Sequence, residues 1–180
     1  EFQAAARAFE LAELPWAGTM SFDTAGRTMM GMTSRDMVAM VEKLPNAPLA
    51  FGANCGVGAS DLLRTVLGFA ASTPQLPVIA KGNAGIPKYV DGHIHYDGTP
   101  ELMGQYAVLA RNCGAKIIGG CCGTMPEHLV AMRAALENTP KSATPSLDEI
   151  TAVLGGFSSA SDGLGDNEPA PTRRNRRKRA

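Results

Sequence analysis

Three features are missing from this chain of 180 residues, and each absence narrows the class of protein. No apolar run approaches the roughly 20 residues that a helix needs to span a bilayer, so we expect no contact with a membrane. No signal peptide opens the chain, because residues 1–13 carry charges spread through an amphipathic helical pattern. An initiator methionine is also lacking, which suggests a fragment or a processed product.

The chain has no net charge, but its charged residues are unevenly distributed. Residues 1–150 hold 11 basic and 14 acidic side chains, whereas residues 151–180 hold 6 basic and 3 acidic ones. The six basic residues lie together at 173–179, where they could contact nucleic acid or another polyanion. No aromatic side chain stands among them to stack on bases, so nucleic acid is not the expected partner. We expect residues 155–180 to be a disordered tail with a basic end.

Before this tail, short apolar runs alternate with helical patterns. The predicted strands are 15–22, 48–53, 77–80 and 115–118, and an opening helix precedes the first. The helices predicted after them are 34–44, 60–71, about 100–112 and about 124–138, with a short terminal helix within 141–154. This alternation predicts an α/β fold, a parallel sheet covered by helices. Four such units fit either an open sheet or half of an eight-stranded barrel.

Side chains at the predicted helix starts support these boundaries. Thr33 and Asp36 have the spacing of a capping box, and Thr124 and Glu127 repeat it. Thr99 precedes a proline at the first helical position. The loops 23–33 and 82–98 are long for such units, and long ordered loops on this side of a sheet are often functional.

Three of the four cysteines follow predicted strands: Cys55 after the second, and Cys121 and Cys122 after the fourth. The carboxyl ends of parallel strands meet at one edge, and neighbouring glycines let the backbone turn, so the three thiols can converge. Three thiolates with an open fourth position are typical of catalytic zinc, although three buried, unligated cysteines fit the spacing equally well. Cys113, away from any strand end, is expected to be a small buried residue. Thiols without a secretory signal predict a cytoplasmic protein.

Three segments together resemble the homocysteine-binding domain of the homocysteine S-methyltransferases, a family that includes betaine–homocysteine methyltransferase. The segments are Gly52-Ala53-Asn54-Cys55-Gly56, Lys81-Gly82-Asn83-Ala84-Gly85-Ile86-Pro87 and Gly119-Gly120-Cys121-Cys122-Gly123-Thr124. The resemblance covers about residues 1–138. It implies that residues 1–140 are strands five to eight of a (β/α)8 TIM-type barrel whose strands one to four are absent.

The resemblance also implies a zinc ion held by Cys55, Cys121 and Cys122, with the sulfur of homocysteine as the fourth ligand. The implied reaction, part of methionine biosynthesis, moves a methyl group from an activated donor such as betaine to that thiol and gives methionine. The implied partners are homocysteine, a small methyl donor and the amino-terminal half of the barrel, with a homo-oligomer left open. The isolated chain is expected to bind zinc weakly without turning over.

Other polar residues have weaker assignments. Asn54 and Asn83 match asparagines of the family motifs, which implies that they bind substrate or brace the cysteines, whereas loop shaping is the alternative. Asp23, at the end of the first strand, either faces the substrate or fixes its own loop. For His93 and His95 we favour a loop or substrate-facing role over metal binding, because three cysteines already supply the metal ligands.

A protein of a different class also fits these residues: a non-catalytic zinc or redox module whose tail binds a polyanion. Loss of a cysteine would lower the zinc content in both cases. Only the enzyme predicts that homocysteine enters the coordination sphere of the zinc.

Overall fold

The computed structural model describes residues 1–86 and 88–165. In this part of the chain, a four-stranded sheet and a separate hairpin are combined with six helices. The helices are α1 (Phe2–Leu11), α2 (Ser34–Val41), α3 (Ala59–Ala71), α4 (Pro100–Asn112), α5 (Pro126–Asn138) and α6 (Leu147–Leu154). The strands are β1 (Ala17–Met20), β2 (Ala50–Asn54), β3 (Val78–Gly82), β4 (Lys88–Val90), β5 (His93–His95) and β6 (Ile117–Gly120). None of these helices combines the length and apolarity needed to cross a membrane.

The sheet has the strand order β1-β2-β3-β6, and each neighbouring pair is parallel. Each strand is thus added on the same side as the one before. Because crossovers between parallel strands are right-handed, this order places all the connecting helices on one face of the sheet. In a doubly wound sheet the strand order reverses, and helices cover both faces. The predicted parallel sheet of strand–helix units is confirmed, and its order is consistent with a segment of a barrel.

The hydrophobic core lies between the sheet and its helices. Phe51 and Ala53 of β2 and Val78 and Ala80 of β3 are buried there. They pack in one cluster with apolar side chains of the helices, among them Met37, Val41, Leu63, Phe69, Met103 and Tyr106. Alternate residues point to the opposite face. On that face, the side chain of Ile117 in the edge strand β6 is 48% exposed.

Two of the predicted helix starts are confirmed and one is wrong. Thr33 and Asp36 form a reciprocal capping box, in which each side chain accepts from the other residue's backbone N–H. Thr99 caps α4 by accepting from the Leu102 N–H. Thr124 does not cap α5: the helix begins at Pro126, with Met125 at the cap position. The Thr124 side chain instead packs on Gly120, where a Cβ would lie 2.2 Å from its hydroxyl oxygen.

The first residues after α6 pack against α3. Residues 156–165, here called the C-terminal strap, contain no helix or strand but lie along α3. The Ser158 N–H donates to the Asp61 carboxylate, and the Arg64 guanidinium donates to the Ser159 carbonyl while lying 4.3 Å from the ring centre of Phe157. The strap backbone therefore covers the buried Asp61–Arg64 ion pair of α3. The basic run at 173–179 lies outside the described residues.

Candidate metal centre

Three thiols meet at the carboxyl edge of the sheet, as the strand-end positions predict. The Cys55 sulfur lies 2.8 Å from that of Cys121 and 3.3 Å from that of Cys122, and the last two are 3.9 Å apart. Cys55 and Cys121 are half-buried, and Cys122 is exposed. Within the described part of the chain, these cysteines are the one group of His, Cys, Asp and Glu side chains close enough to share a metal ion.

The backbone at each strand end turns so that the thiols converge. Cys55 has φ of +54° and Gly56 of +75°, two successive residues in the left-handed region that β-strands do not use. The Cys55 N–H donates to the Lys81 carbonyl, and the Cys121 N–H donates to the Gly82 carbonyl. Gly123, at φ +74°, ends the second turn. Neighbouring strands therefore hold the cysteines directly through backbone hydrogen bonds.

Asn83 connects the two cysteine-bearing turns. Its side-chain oxygen accepts from the Cys122 N–H at 3.2 Å, and its amide nitrogen donates to the Gly56 carbonyl at 3.3 Å. The residue is only 3% exposed, so its amide has little access to solvent. Among the roles that the sequence left open, these contacts support bracing of the cysteine loops.

The other predicted polar residues lie around this centre in different settings. The Asn54 amide donates to the Ser21 hydroxyl at 3.4 Å, which links the ends of β1 and β2. Asp23 is exposed, and its carboxylate accepts from the hydroxyl of the adjacent Thr24. His93 and His95 are exposed on β5, the second strand of a hairpin within the long 82–98 loop. Neither histidine belongs to the metal-binding group.

The thiols perturb one another's ionisation in opposite directions. Burial, followed by hydrogen bonds with the other two thiols, raises the pKa of Cys55 to about 12. The hydrogen bond from Cys55, with a further one from the Tyr96 hydroxyl, lowers the pKa of the exposed Cys122 thiol. Of these two thiols, Cys122 is therefore the one that loses its proton more readily. Metal binding would have to release the remaining thiol protons, because the thiolate is the ligand form.

The chemistry of these sulfurs fits a bound soft metal ion, and their spacing comes close to it. Thiolates on one tetrahedral ion, with bonds of about 2.3 Å, lie about 3.8 Å apart. The Cys121 and Cys122 sulfurs are 3.9 Å apart, whereas the Cys55 sulfur lies closer to both and would have to move away from them around an ion. Thiolate ligands select zinc and other soft ions over magnesium and calcium.

Two residues near the centre were not predicted from the sequence. Tyr96 packs against Gly123, where a Cβ would lie 2.4 Å from its ring, and its hydroxyl faces Cys122. His128 in the first turn of α5 is 7% exposed and holds the helix start through its ring. Its place three residues after the cap position was a usable signal, whereas nothing in the sequence near Tyr96 indicates a contact with Cys122.

Cys113, the fourth cysteine, lies apart from the centre. It ends α4 and is 1% exposed, and burial raises the pKa of its thiol to about 12. This confirms the prediction that Cys113 is a small buried residue, and it makes Cys113 a control for substitutions in the cluster.

Fold and site together define a parallel α/β domain with three cysteines at the carboxyl edge of its sheet that could hold a metal ion. A family model described as homocysteine S-methyltransferase matches residues 1–136, most of the chain. The chain therefore belongs to the homocysteine S-methyltransferase family, as the resemblance of its three glycine-rich segments predicts.

Two solved structures have a similar fold, and both are of the homocysteine methyltransferase MmuM from Escherichia coli. The oxidised form is 24% identical with a TM-score of 0.52, and the match covers 73% of this chain and 40% of that one. The apo form is 22% identical with a TM-score of 0.53, and the match covers 73% of this chain and 43% of that one. This chain thus spans less than half the length of these structures.

Proposed function

We propose that this chain is part of a zinc-dependent enzyme that transfers a methyl group from betaine or a similar activated donor to homocysteine, giving methionine. The convergence of Cys55, Cys121 and Cys122 in a member of the homocysteine S-methyltransferase family carries this proposal. The three cysteines would hold the zinc. The bound ion would keep the substrate thiol ionised at neutral pH, where a free thiol is mostly protonated and a weak nucleophile.

The chain's own residues would provide access and positioning for this reaction. Cys122 is exposed, which leaves the cluster open on its outer side to a small thiol. Asn83 would keep the two cysteine turns in register, while Asn54 and Asp23, at the ends of their strands, would contact the polar end of the substrate. The substrate sulfur forms the new bond to the methyl carbon, and the donor leaves with the electron pair of the broken bond.

The rest of the active site would come from residues outside this chain. We assign β1, β2, β3 and β6 to strands five to eight of an eight-stranded barrel, and an amino-terminal half would supply the other four. The exposed Ile117 on the uncovered face of edge strand β6 supports a neighbouring half at that position. The complete protein would work in the cytoplasm, in methionine biosynthesis, and self-association stays open.

Cysteine substitutions with an internal control test this function. In the complete protein, Cys55→Ala, Cys121→Ala and Cys122→Ala should each lose bound zinc and methionine formation from homocysteine and betaine or a sulfonium donor. Cys113→Ala should keep both, because its thiol is buried outside the cluster.

Two outcomes would contradict the proposal. One is retention of stoichiometric zinc by all three cluster variants. The other is a zinc-loaded complete protein that forms no methionine from any of these donors. The isolated 180-residue chain should bind zinc but form no methionine, and turnover by it would refute the assignment to half a barrel.

A further inference from the structure

We infer that His128 is a positioning residue for the metal centre, acting through a closed circuit of hydrogen bonds that ends at Cys122. This inference rests on the proposed metal centre. His128 is a buried, ionisable side chain that the proposed reaction does not use, and its ring bonds to Met125 and Gly98 and not to the cysteines.

Both ring nitrogens of His128 have defined partners. Nδ1 accepts from the Met125 N–H at 2.9 Å, so it carries no proton. Nε2 lies 2.9 Å from the Gly98 carbonyl oxygen, which only accepts, so Nε2 carries the proton and donates it. The structure therefore assigns one neutral tautomer, which ties the start of α5 to the loop before α4.

From Gly98 the circuit returns to the cysteine turn through two backbone bonds. The Gly98 N–H donates to the Ala84 carbonyl at 2.9 Å, and the Ala84 N–H donates to the Cys122 carbonyl at 2.9 Å. Met125, which bonds Nδ1, follows Cys122 by three residues. The turn that carries Cys122 is thus held from both ends, and His128 is the only side chain in the circuit.

Close backbone packing makes the circuit stiff. A Cβ at Gly98 would lie 2.3 Å from the Ala84 carbonyl carbon, so the two segments touch without any intervening side chain. Gly98 is buried, and without His128 its carbonyl would lose the hydrogen bond from Nε2. Loosening of the circuit would then reach Cys122, the most exposed of the three thiols.

The substitution His128→Asn separates this role from helix capping. The Asn side-chain oxygen can replace Nδ1 as acceptor for Met125, but its amide nitrogen does not reach as far as Nε2. Asp36→Asn is the matched control, because Asp36 occupies the same third position of α2 and also bonds its cap residue. Both variants thus carry asparagine at the same helical position, and only one disturbs the circuit.

Two measurements on the complete protein test the inference. In the metal-free protein, hydrogen–deuterium exchange of the Ala84, Gly98 and Cys122 amides should be faster in His128→Asn than in the wild type. Cobalt(II), followed by its thiolate charge-transfer absorption, should bind His128→Asn about tenfold more weakly, the low end of losses seen when groups behind metal ligands are changed. Asp36→Asn should match the wild type in both.

Unchanged exchange or unchanged cobalt affinity in His128→Asn would overturn the inference, as would equal effects in Asp36→Asn. Wild-type protein that binds no cobalt would instead refute the metal centre. The exchange comparison would still decide whether His128 holds the Cys122 turn, so the two failures are distinguishable.

Discussion

Cys55 combines a ligand thiol with a backbone conformation that favours glycine. Its φ of +54° costs an L-residue roughly 1–2 kcal/mol, whereas glycine is free of this strain. Positive φ values at residues other than glycine are uncommon and occur frequently at functional sites. The conformation directs the thiol to Cys121 and Cys122. Cys55 therefore lowers the stability of the fold while it places its sulfur beside the other two.

This strain predicts a difference between two metal-free variants. Cys55→Gly should exceed Cys55→Ala in free energy of unfolding by roughly 0.5–1 kcal/mol, because relief of the strain outweighs the additional chain entropy that glycine loses on folding. Urea denaturation of both variants measures this difference, and neither should bind zinc. An alanine variant as stable as the glycine variant would show that Cys55 is unstrained.

The contributions of single residues could be predicted only where local sequence determines them. Cys55, Cys121 and Cys122 follow apolar runs, so their convergence follows from the parallel order of the strands. The roles of Asn83 and Tyr96 depend on contacts across 39 and 26 positions, which no local pattern specifies. Asn83 was therefore identified by its motif but not by its bonds, and Tyr96 was missed.

At the scale of elements, capping chemistry explains both the success at α2 and the error at α5. Thr33 and Asp36 satisfy each other's backbone groups. At α5, Thr124 has an equally suitable side chain, but it packs on Gly120 in the cysteine turn. The ring of His128 instead accepts a hydrogen bond from the backbone N–H of Met125 at the cap position. The cap position of α5 therefore lies one residue later than predicted, at Met125 instead of Thr124.

The capping box of α2 should make stability depend on pH in the acidic range. Hydrogen bonds from the Thr33 backbone and then its side chain lower the pKa of Asp36 below its unfolded value. Its contribution is therefore complete above a pH of about 4 and is lost as the pH falls through the folded pKa. Because Asp36 is exposed, we expect Asp36→Asn to cost only about 0.5 kcal/mol at pH 7.

Chemical denaturation of wild type and Asp36→Asn at pH 7 and pH 3 checks this dependence. The difference in free energy of unfolding should be smaller at pH 3 than at pH 7, because the carboxylate of the wild type gains protons as the pH falls towards its lowered pKa. A difference that is constant with pH would mean that the charge of Asp36 contributes nothing.

At the scale of the whole molecule, the C-terminal strap couples the end of the described chain to the loop after β1. The Arg27 guanidinium donates to the Gly165 carbonyl, and a Cβ at Gly26 would lie 2.4 Å from the backbone of Asp162. The strap meets α3 at the buried Asp61–Arg64 pair, where its backbone accepts from Arg64 and donates to Asp61.

The alternation of strands and helices left two windings of the sheet open, and the family resemblance implied the barrel. Four strand–helix units are compatible with an open sheet or a barrel segment, and the order β1-β2-β3-β6 favours the barrel. The choice between an open sheet and a barrel depends on the side of the sheet at which each new strand is added, and long-range packing decides this. The hairpin of β4 and β5 was missed because its short strands are exposed and lack a buried apolar pattern.

Zinc K-edge X-ray absorption on the complete protein, with and without homocysteine, shows whether the substrate thiol binds the zinc. We predict three sulfur ligands from the cysteines in the free protein and four when homocysteine is bound, since the substrate thiol joins the same ion. A sulfur count that stays the same with saturating homocysteine would contradict the methyltransferase function and leave only a zinc-binding module.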